Sequence, residues 1–151
     1  MASQPSWSFK GRDLPFMRVP PPKSVAEATS ELFLNYLRTR PDLVREATIP
    51  LDRSQAQILL VSGGTDETWP SREFSEAMVE HMQRAGKGSQ VKHLMYAESG
   101  HWTVRSQILP TTILAAPGGT TALGSAKAQA EAWPAVLRFL EEKLAPLPPK
   151  R

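Results

Sequence analysis

The chain has 151 residues, of which 40% are hydrophobic, and these values predict one ordinary globular domain. Its net charge of +3 arises from basic residues interspersed with acidic ones, so the clustered cationic face of a nucleic-acid-binding protein is not predicted. There is no cysteine and the three histidines are scattered, so neither a disulfide nor a metal site is predicted, and no cofactor is expected. No apolar run approaches the roughly 20 residues of a membrane span, and no signal-peptide pattern begins the chain, so a cytoplasmic protein is expected.

Both ends of the sequence are rich in proline, which fixes φ and removes a backbone donor. Residues 1–22 are therefore predicted to be irregular, with Trp7, Phe9 and Phe16 as possible anchors, and residues 146–151 to form a proline-rich tail. The folded body is predicted to span residues 23–145.

A helix is predicted at the start of this body. Ser24 and Glu27 have the spacing of a capping box, and apolar residues including Leu32 and Tyr36 follow at helical intervals. Pro41 is expected to end or interrupt this helix.

The middle of the chain predicts a β-strand, a helix and a second strand. The continuous apolar run 57–61, stopped by two glycines, is typical of a strand in a parallel sheet. An amphipathic helix over 71–85 follows, with an apolar stripe that also carries His81, and then a strand over 91–96. This order predicts an α/β fold with parallel strands and flanking helices.

A long loop over 97–124 and a last helix over 125–144 complete the prediction. Pro134 falls inside that helix and should kink it or mark its true start. Its apolar face is predicted to consist of Ala126, Ala130, Trp133, Leu137, Leu140 and Leu144.

Two residues follow the predicted strands directly, namely Asp66 after the first strand and His101 after the second. Ligand sites of open α/β sheets lie outside the carboxyl ends of the strands, so both side chains are expected at one edge within hydrogen-bond reach. A carboxylate there can accept the imidazole Nδ1–H and stabilise the imidazolium. The structural alternatives are an Asp that only caps a helix and a common Gly-His pair, and Glu67 is the rival acid. His93 lies within the second strand and is a poorer base, and a structural role is favoured for His81.

Several segments resemble the acyl-CoA thioesterase and bile acid-CoA:amino acid N-acyltransferase family of α/β-hydrolases. The similarity includes segments 7–16 and 47–71, the Tyr96–His101 segment, and the Gly118-Gly119 and Trp133-Pro134 pairs. The resemblance implies the C-terminal portion of an α/β-hydrolase fold with an incomplete sheet. It also implies an acyl-CoA or related thioester substrate, with Asp66 as the triad acid and His101 as the general base.

The nucleophile of that family has no match in the sequence. Neither Gly-x-Ser-x-Gly nor Gly-x-Cys-x-Gly occurs, and Ser62, Ser71 and Ser99 are in the wrong place for a nucleophile elbow. The chain alone is therefore expected to be inactive and to need an upstream segment, for example by complementation with an N-terminal fragment. The alternatives are a non-catalytic α/β-hydrolase remnant or interaction module, or part of another α/β-hydrolase such as a dienelactone-hydrolase-like esterase.

Two predicted strands are far fewer than the roughly five or six of an average sheet. An apolar strand edge left without a neighbour is a template for pairing with another chain. The purified chain is therefore expected to be poorly folded or to self-associate through the edge of strand 57–61. Size-exclusion chromatography with light scattering and a thermal melt test this, and a compact monomer with a sharp cooperative transition would contradict it.

Overall fold

The computed structural model describes residue 5 and residues 7–17, 29–104 and 121–144. These residues form four strands and four α-helices, and the elements follow the chain in this order: β1 (Ser8–Phe9), β2 (Arg12–Asp13), α1 (Ser30–Thr39), α2 (Pro41–Ala47), β3 (Ile58–Gly63), α3 (Ser71–Arg84), β4 (Val91–Tyr96) and α4 (Ala122–Lys143). Short 3-10 turns at Leu51–Arg53 and Gly88–Gln90 precede β3 and β4. The predicted capping box, the Gly118-Gly119 pair, most of the long loop and the proline-rich tail lie outside the described residues.

A β-hairpin occupies part of the N-terminal segment for which the sequence predicted irregular structure. Its strands β1 and β2 pair antiparallel, with Ser8 opposite Asp13 and Phe9 opposite Arg12. The two turn residues, Lys10 and Gly11, have φ values of 51° and 74°, as the favoured two-residue hairpin turn requires. Strands of two residues are too short to show the alternation that predicts a strand from sequence.

The first helix begins later than the sequence predicts. Thr29 has extended backbone angles and precedes α1, so the predicted helix starting at Ser24 does not run continuously into Leu32 and Tyr36. The prediction for Pro41 is confirmed, because α1 ends at Thr39 and the proline opens α2, where a missing N–H costs nothing.

Strands β3 and β4 form a parallel pair in register, with Ile58 opposite Val91 and Gly63 opposite Tyr96. Helix α3 connects them and packs on both. The predicted parallel strand–helix–strand unit is thus present, although β3 runs from Ile58 to Gly63 rather than over 57–61. Gly86, at a φ of 71°, follows the end of α3, a position where a side chain would be strained.

The core of the described residues is built largely from small side chains. Met82 of α3 and Ala128 and Ala132 of α4 are the buried hydrophobic residues, and Ser62, Ser99 and Ser125 are also buried. Helix α4 runs without a break through Pro134, so that proline does not mark a helix start. The predicted apolar face of α4 is not its buried face, because Trp133, Leu137, Leu140 and Leu144 are all exposed. Helix α4 can approach the rest of the described chain closely only through small residues. These small residues lie on the side of the helix next to the predicted apolar face.

A contact between Asp52 and His81 fastens the turn before β3 to α3. The His81 Nε2 atom lies 2.8 Å from Asp52 Oδ1, and Lys87 Nζ donates to the backbone oxygens of Asp52 and Ser54 at 2.6 and 3.1 Å. The hydrogen bond from His81 lowers the pKa of the Asp52 carboxyl. The structural role favoured for His81 agrees with this contact.

We expect Asp52→Asn to lower the melting temperature at neutral pH, because the carboxylate that His81 Nε2 contacts at 2.8 Å is replaced by a neutral amide. A carboxyl with a lowered pKa stabilises the fold above its unfolded pKa, and that contribution disappears as the pH falls through the folded pKa. The difference between wild type and variant should therefore shrink in thermal melts as the pH falls below about 4, the ordinary pKa of an aspartate. Asp13→Asn, in the exposed hairpin, is the control, and a difference that stays constant over this range would contradict the assignment.

Candidate active site

The Asp66 carboxylate is held by the loop that follows β3. Its Oδ1 atom accepts hydrogen bonds from the backbone N–H groups of Thr68 and Trp69, both at 3.0 Å. The side chain of Asp66 is only 4% exposed. Two amide donors on one oxygen fix the orientation of the carboxylate and leave Oδ2 available for another donor.

His101 lies in the turn that follows β4, and a buried hydrogen-bond network shapes this turn. The Thr103 hydroxyl donates to the Gly100 carbonyl at 2.7 Å and lies 3.0 Å from the Ser99 hydroxyl. The Ser99 amide donates to Tyr96 O at 3.1 Å, and both Ser99 and Thr103 are buried. The backbone that carries His101 is therefore fixed from both sides of the residue.

The two loops bring the acid and the imidazole together. His101 Nδ1 lies 3.2 Å from Asp66 Oδ2, as expected for side chains that follow neighbouring parallel strands. An ionised carboxylate can only accept, so Nδ1 carries the proton and Nε2 is left as the basic nitrogen. The imidazole is 34% exposed, and no described residue forms a hydrogen bond with its Nε2 atom.

Gly63 and Gly64 allow the two loops to approach this closely. A methyl group on Gly63 would overlap the carbonyl oxygens of Ser99 and Gly100, and one on Gly64 would lie 2.7 Å from the Ala97 oxygen. The Gly64 amide donates to Tyr96 O at 2.9 Å and the Thr65 amide to Ser99 O at 3.1 Å. The turn that carries His101 thus rests on the backbone that leads to Asp66.

Aromatic side chains of two helices pack against the loop that carries Asp66. The Trp69 ring lies between those of Phe33 on α1 and Phe74 on α3, with centroid separations of 4.3 and 5.3 Å. The Ser30 amide at the start of α1 also donates to Glu67 O at 2.7 Å. Helix α1 is thereby tied to the loop that presents Asp66.

The remaining candidates lie away from this pair. Glu67 is exposed, whereas Asp66 faces the imidazole. His93 Nε2 lies 2.7 Å from the hydroxyl of Ser62, which is 1% exposed, and the hydroxyl of Ser71 contacts Gly63 O at 3.5 Å. None of the three serines weighed in the sequence is hydrogen-bonded to His101 in the described part of the chain.

The groups that hold the Asp66–His101 pair in place have no signature in the sequence. No sequence motif marks the amides of Thr68 and Trp69 or the Ser99–Thr103 network. The one general signal is the aspartate, because an Asp side chain in a turn often accepts hydrogen bonds from the backbone amides two and three residues after it. Among the described residues, no three metal-ligating side chains converge, and none of the helices has the length and apolar character of a membrane span.

These observations define a protein with an α/β fold and an aspartate–histidine pair at the carboxyl ends of two parallel strands. The family model described as "BAAT / Acyl-CoA thioester hydrolase C terminal" matches residues 22–146, and the chain belongs to this family. The resemblance predicted from the sequence is thereby confirmed. The family has an α/β-hydrolase-like fold and an acyl-CoA thioesterase or acyltransferase type of function. A comparison with curated proteins finds no match.

We expect Gly63→Ala to destabilise the fold by about 2 kcal/mol or more, because the added methyl forces the turn carrying His101 away from β3. Urea unfolding measures this effect. Gly88→Ala is the matched control, since its added methyl meets mainly the flexible Gln83 side chain at 3.2 Å. Equal unfolding free energies for Gly63→Ala and wild type would contradict the close approach of β3 and the turn that carries His101.

Proposed function

We propose that this chain supplies the acid and the base of a Ser/Cys–His–Asp triad that acts on acyl-CoA thioesters. In this proposal residues 23–145 are the C-terminal portion of an α/β-hydrolase domain whose sheet is incomplete in the chain. The observation that carries the proposal is the 3.2 Å contact between His101 Nδ1 and an Asp66 carboxylate that two backbone amides hold in place. Membership of the acyl-CoA thioester hydrolase family supports the choice of substrate.

The proposed mechanism is acyl transfer through a covalent intermediate. The Nε2 atom of His101 takes the proton of a serine or cysteine, which attacks the thioester carbonyl and forms a new bond to the acyl carbon. The imidazolium, stabilised by Asp66, returns the proton to the CoA sulfur as the carbon–sulfur bond breaks. His101 then deprotonates water or an amine, which attacks the acyl group and regenerates the nucleophile.

The nucleophile must come from a segment outside these 151 residues. The sequence holds no elbow motif and no cysteine, and the hydroxyls of Ser62 and Ser99 are engaged with His93 and Thr103. In addition, Ser62 and Ser99 are 1% and 0% exposed, so a thioester cannot reach them. The isolated chain is therefore expected to show no turnover of acyl-CoA.

The test is complementation, in which the chain is co-expressed with the upstream part of a family member that carries a nucleophile elbow. Release of free CoA thiol from acyl-CoA reports turnover. Asp66→Asn should lower kcat by about 10⁴-fold, because the imidazole then adopts the wrong tautomer. His101→Ala should abolish turnover.

Glu67→Gln is the matched control, because it makes the same kind of change one residue away on an exposed side chain. The assignment of the acid is reversed if Glu67→Gln is the damaging change and Asp66→Asn is silent. An assembled complex without turnover would favour the alternative of a non-catalytic remnant. Turnover by the chain alone would contradict the inference that the nucleophile lies outside the chain.

A further inference from the structure

Strand β4 has the character of an outer strand. The apolar run Ile58–Val61 of β3 is typical of a strand with neighbours on both edges, so in the proposed domain the rest of the sheet lies beside β3. Strand β4 instead carries the exposed residues Lys92 and Met95, and lysine is typical of edge strands. Among the described residues, no strand pairs with the other edge of β4. The backbone groups along that edge can therefore pair with a further strand.

A stripe of charged residues on α4 lies beside this edge. Its members follow one another in steps of three or four residues, and we call them the α4 charged stripe: Lys127, Glu131, Ala135, Arg138 and Glu142. The four charged side chains are exposed. Two hollows lie between the stripe and β4, one of about 260 Å³ near Tyr96 and one of about 200 Å³ near Val91.

The α4 charged stripe is not the apolar side of the helix. At roughly 100° per residue, the buried residues Ala128 and Ala132 lie between the stripe and the apolar row that includes Trp133 and Leu137. The apolar row thus faces the side of β3, where the rest of the proposed domain covers it. The stripe faces the side of β4, where the sheet ends.

The charges of the stripe are complementary to those of a second, antiparallel copy. Glu131 and Arg138 have the same midpoint as Lys127 and Glu142, between residues 134 and 135. A twofold axis at that level sets Glu131 of each copy against Arg138 of the other, and Lys127 of each copy against Glu142 of the other. The small side chain of Ala135 lies beside the axis, where it lets the two helices approach closely.

The free edge of β4 fits the same axis. Tyr96, at one end of β4, lines a hollow together with Glu131, whereas Val91, at the other end, lines a hollow together with Arg138 and Glu142. The middle of β4 is therefore level with the middle of the stripe. Two antiparallel copies can consequently pair along β4 and along α4 at once.

A parallel arrangement of the two helices is disfavoured by the same charges, because each charge would meet its own copy. Contacts within one chain engage these charges only weakly. Lys127 lies 3.7 Å from Glu98, and both side chains are exposed. The described part of the chain provides no ion pair for Glu131, Arg138 or Glu142. These side chains can therefore pair with a second copy without breaking a strong contact.

We propose that two copies of this chain associate antiparallel through the free edge of β4 and the α4 charged stripe, so that one sheet continues across both copies. The contact includes neither Asp66 nor His101. The association is therefore independent of the proposed triad, and its tests need no turnover.

The first test is cross-linking, which the absence of cysteine from the chain makes specific. Ala135→Cys places one thiol beside the axis, where packed helices bring it within disulfide reach of its counterpart. Leu137→Cys, on the apolar row, is the matched control. After air oxidation, non-reducing electrophoresis should show mainly covalent dimer for Ala135→Cys and mainly monomer for Leu137→Cys.

The second test is charge reversal, measured by sedimentation velocity on the 151-residue chain. Glu131→Arg and Arg138→Glu should each weaken self-association by about tenfold, because each brings like charges together at two symmetric positions. Mixing the two single variants should restore association as a heterodimer, and the double variant should associate like wild type. Glu141→Arg, an exposed position of α4 outside the stripe, should leave association unchanged. Circular dichroism spectra should be the same for all variants.

Three results would overturn the proposal. The first is a wild-type chain that stays monomeric up to its solubility limit. The second is covalent dimer that forms as readily from Leu137→Cys as from Ala135→Cys, which would place the contact on the side of β3. The third is a mixture of the two single variants that associates no more strongly than either alone, which would contradict the antiparallel arrangement.

Discussion

The close approach of two backbone segments is the constraint on which the described structure depends. Gly63 and Gly64 end β3 against the turn after β4, and hydrogen bonds from Gly64 to Tyr96 and from Thr65 to Ser99 join them. Because this contact is made by backbone, its geometry does not vary with side-chain rotamers. It fixes the distance between the loop of Asp66 and the turn of His101, and the 3.2 Å contact between those side chains follows from it.

The two halves of the pair are fixed by different means. The Asp66 carboxylate is oriented by amides of its own loop, and that loop is supported by tilted contacts of the Trp69 ring with aromatic rings of α1 and α3. The turn of His101 is fixed by the buried hydroxyls of Ser99 and Thr103. The carboxylate is almost fully buried while the imidazole is one-third exposed. In the proposed triad, the base must meet a reactant and needs that access, whereas the acid only orients the base and does not.

The sequence predicted the parts of this arrangement that depend on chain order and periodicity. The apolar run before Gly63 and the strand before Ala97 indicated two parallel strands, and the position of Asp66 and His101 after them indicated one sheet edge. It did not predict which side of α4 is buried, because an apolar stripe shows where large residues lie and not how closely a helix must approach. The contact between Ser62 and His93 depends on strand register, which a single strand does not reveal.

Helix α4 shows how one element meets two different packing requirements. On the side that meets the turn after β4, Gly124 has no room for a side chain because the carbonyl of Glu98 lies against it, and Ala128 is buried. On the neighbouring side lie Leu123, Trp133, Leu137 and Leu140, whose large side chains no described residue buries. A leucine could not replace Gly124, since its side chain would push away the turn that carries His101. The small side of α4 therefore follows from the position of the turn that carries the histidine, and the large apolar residues of the helix lie outside the core of the described residues.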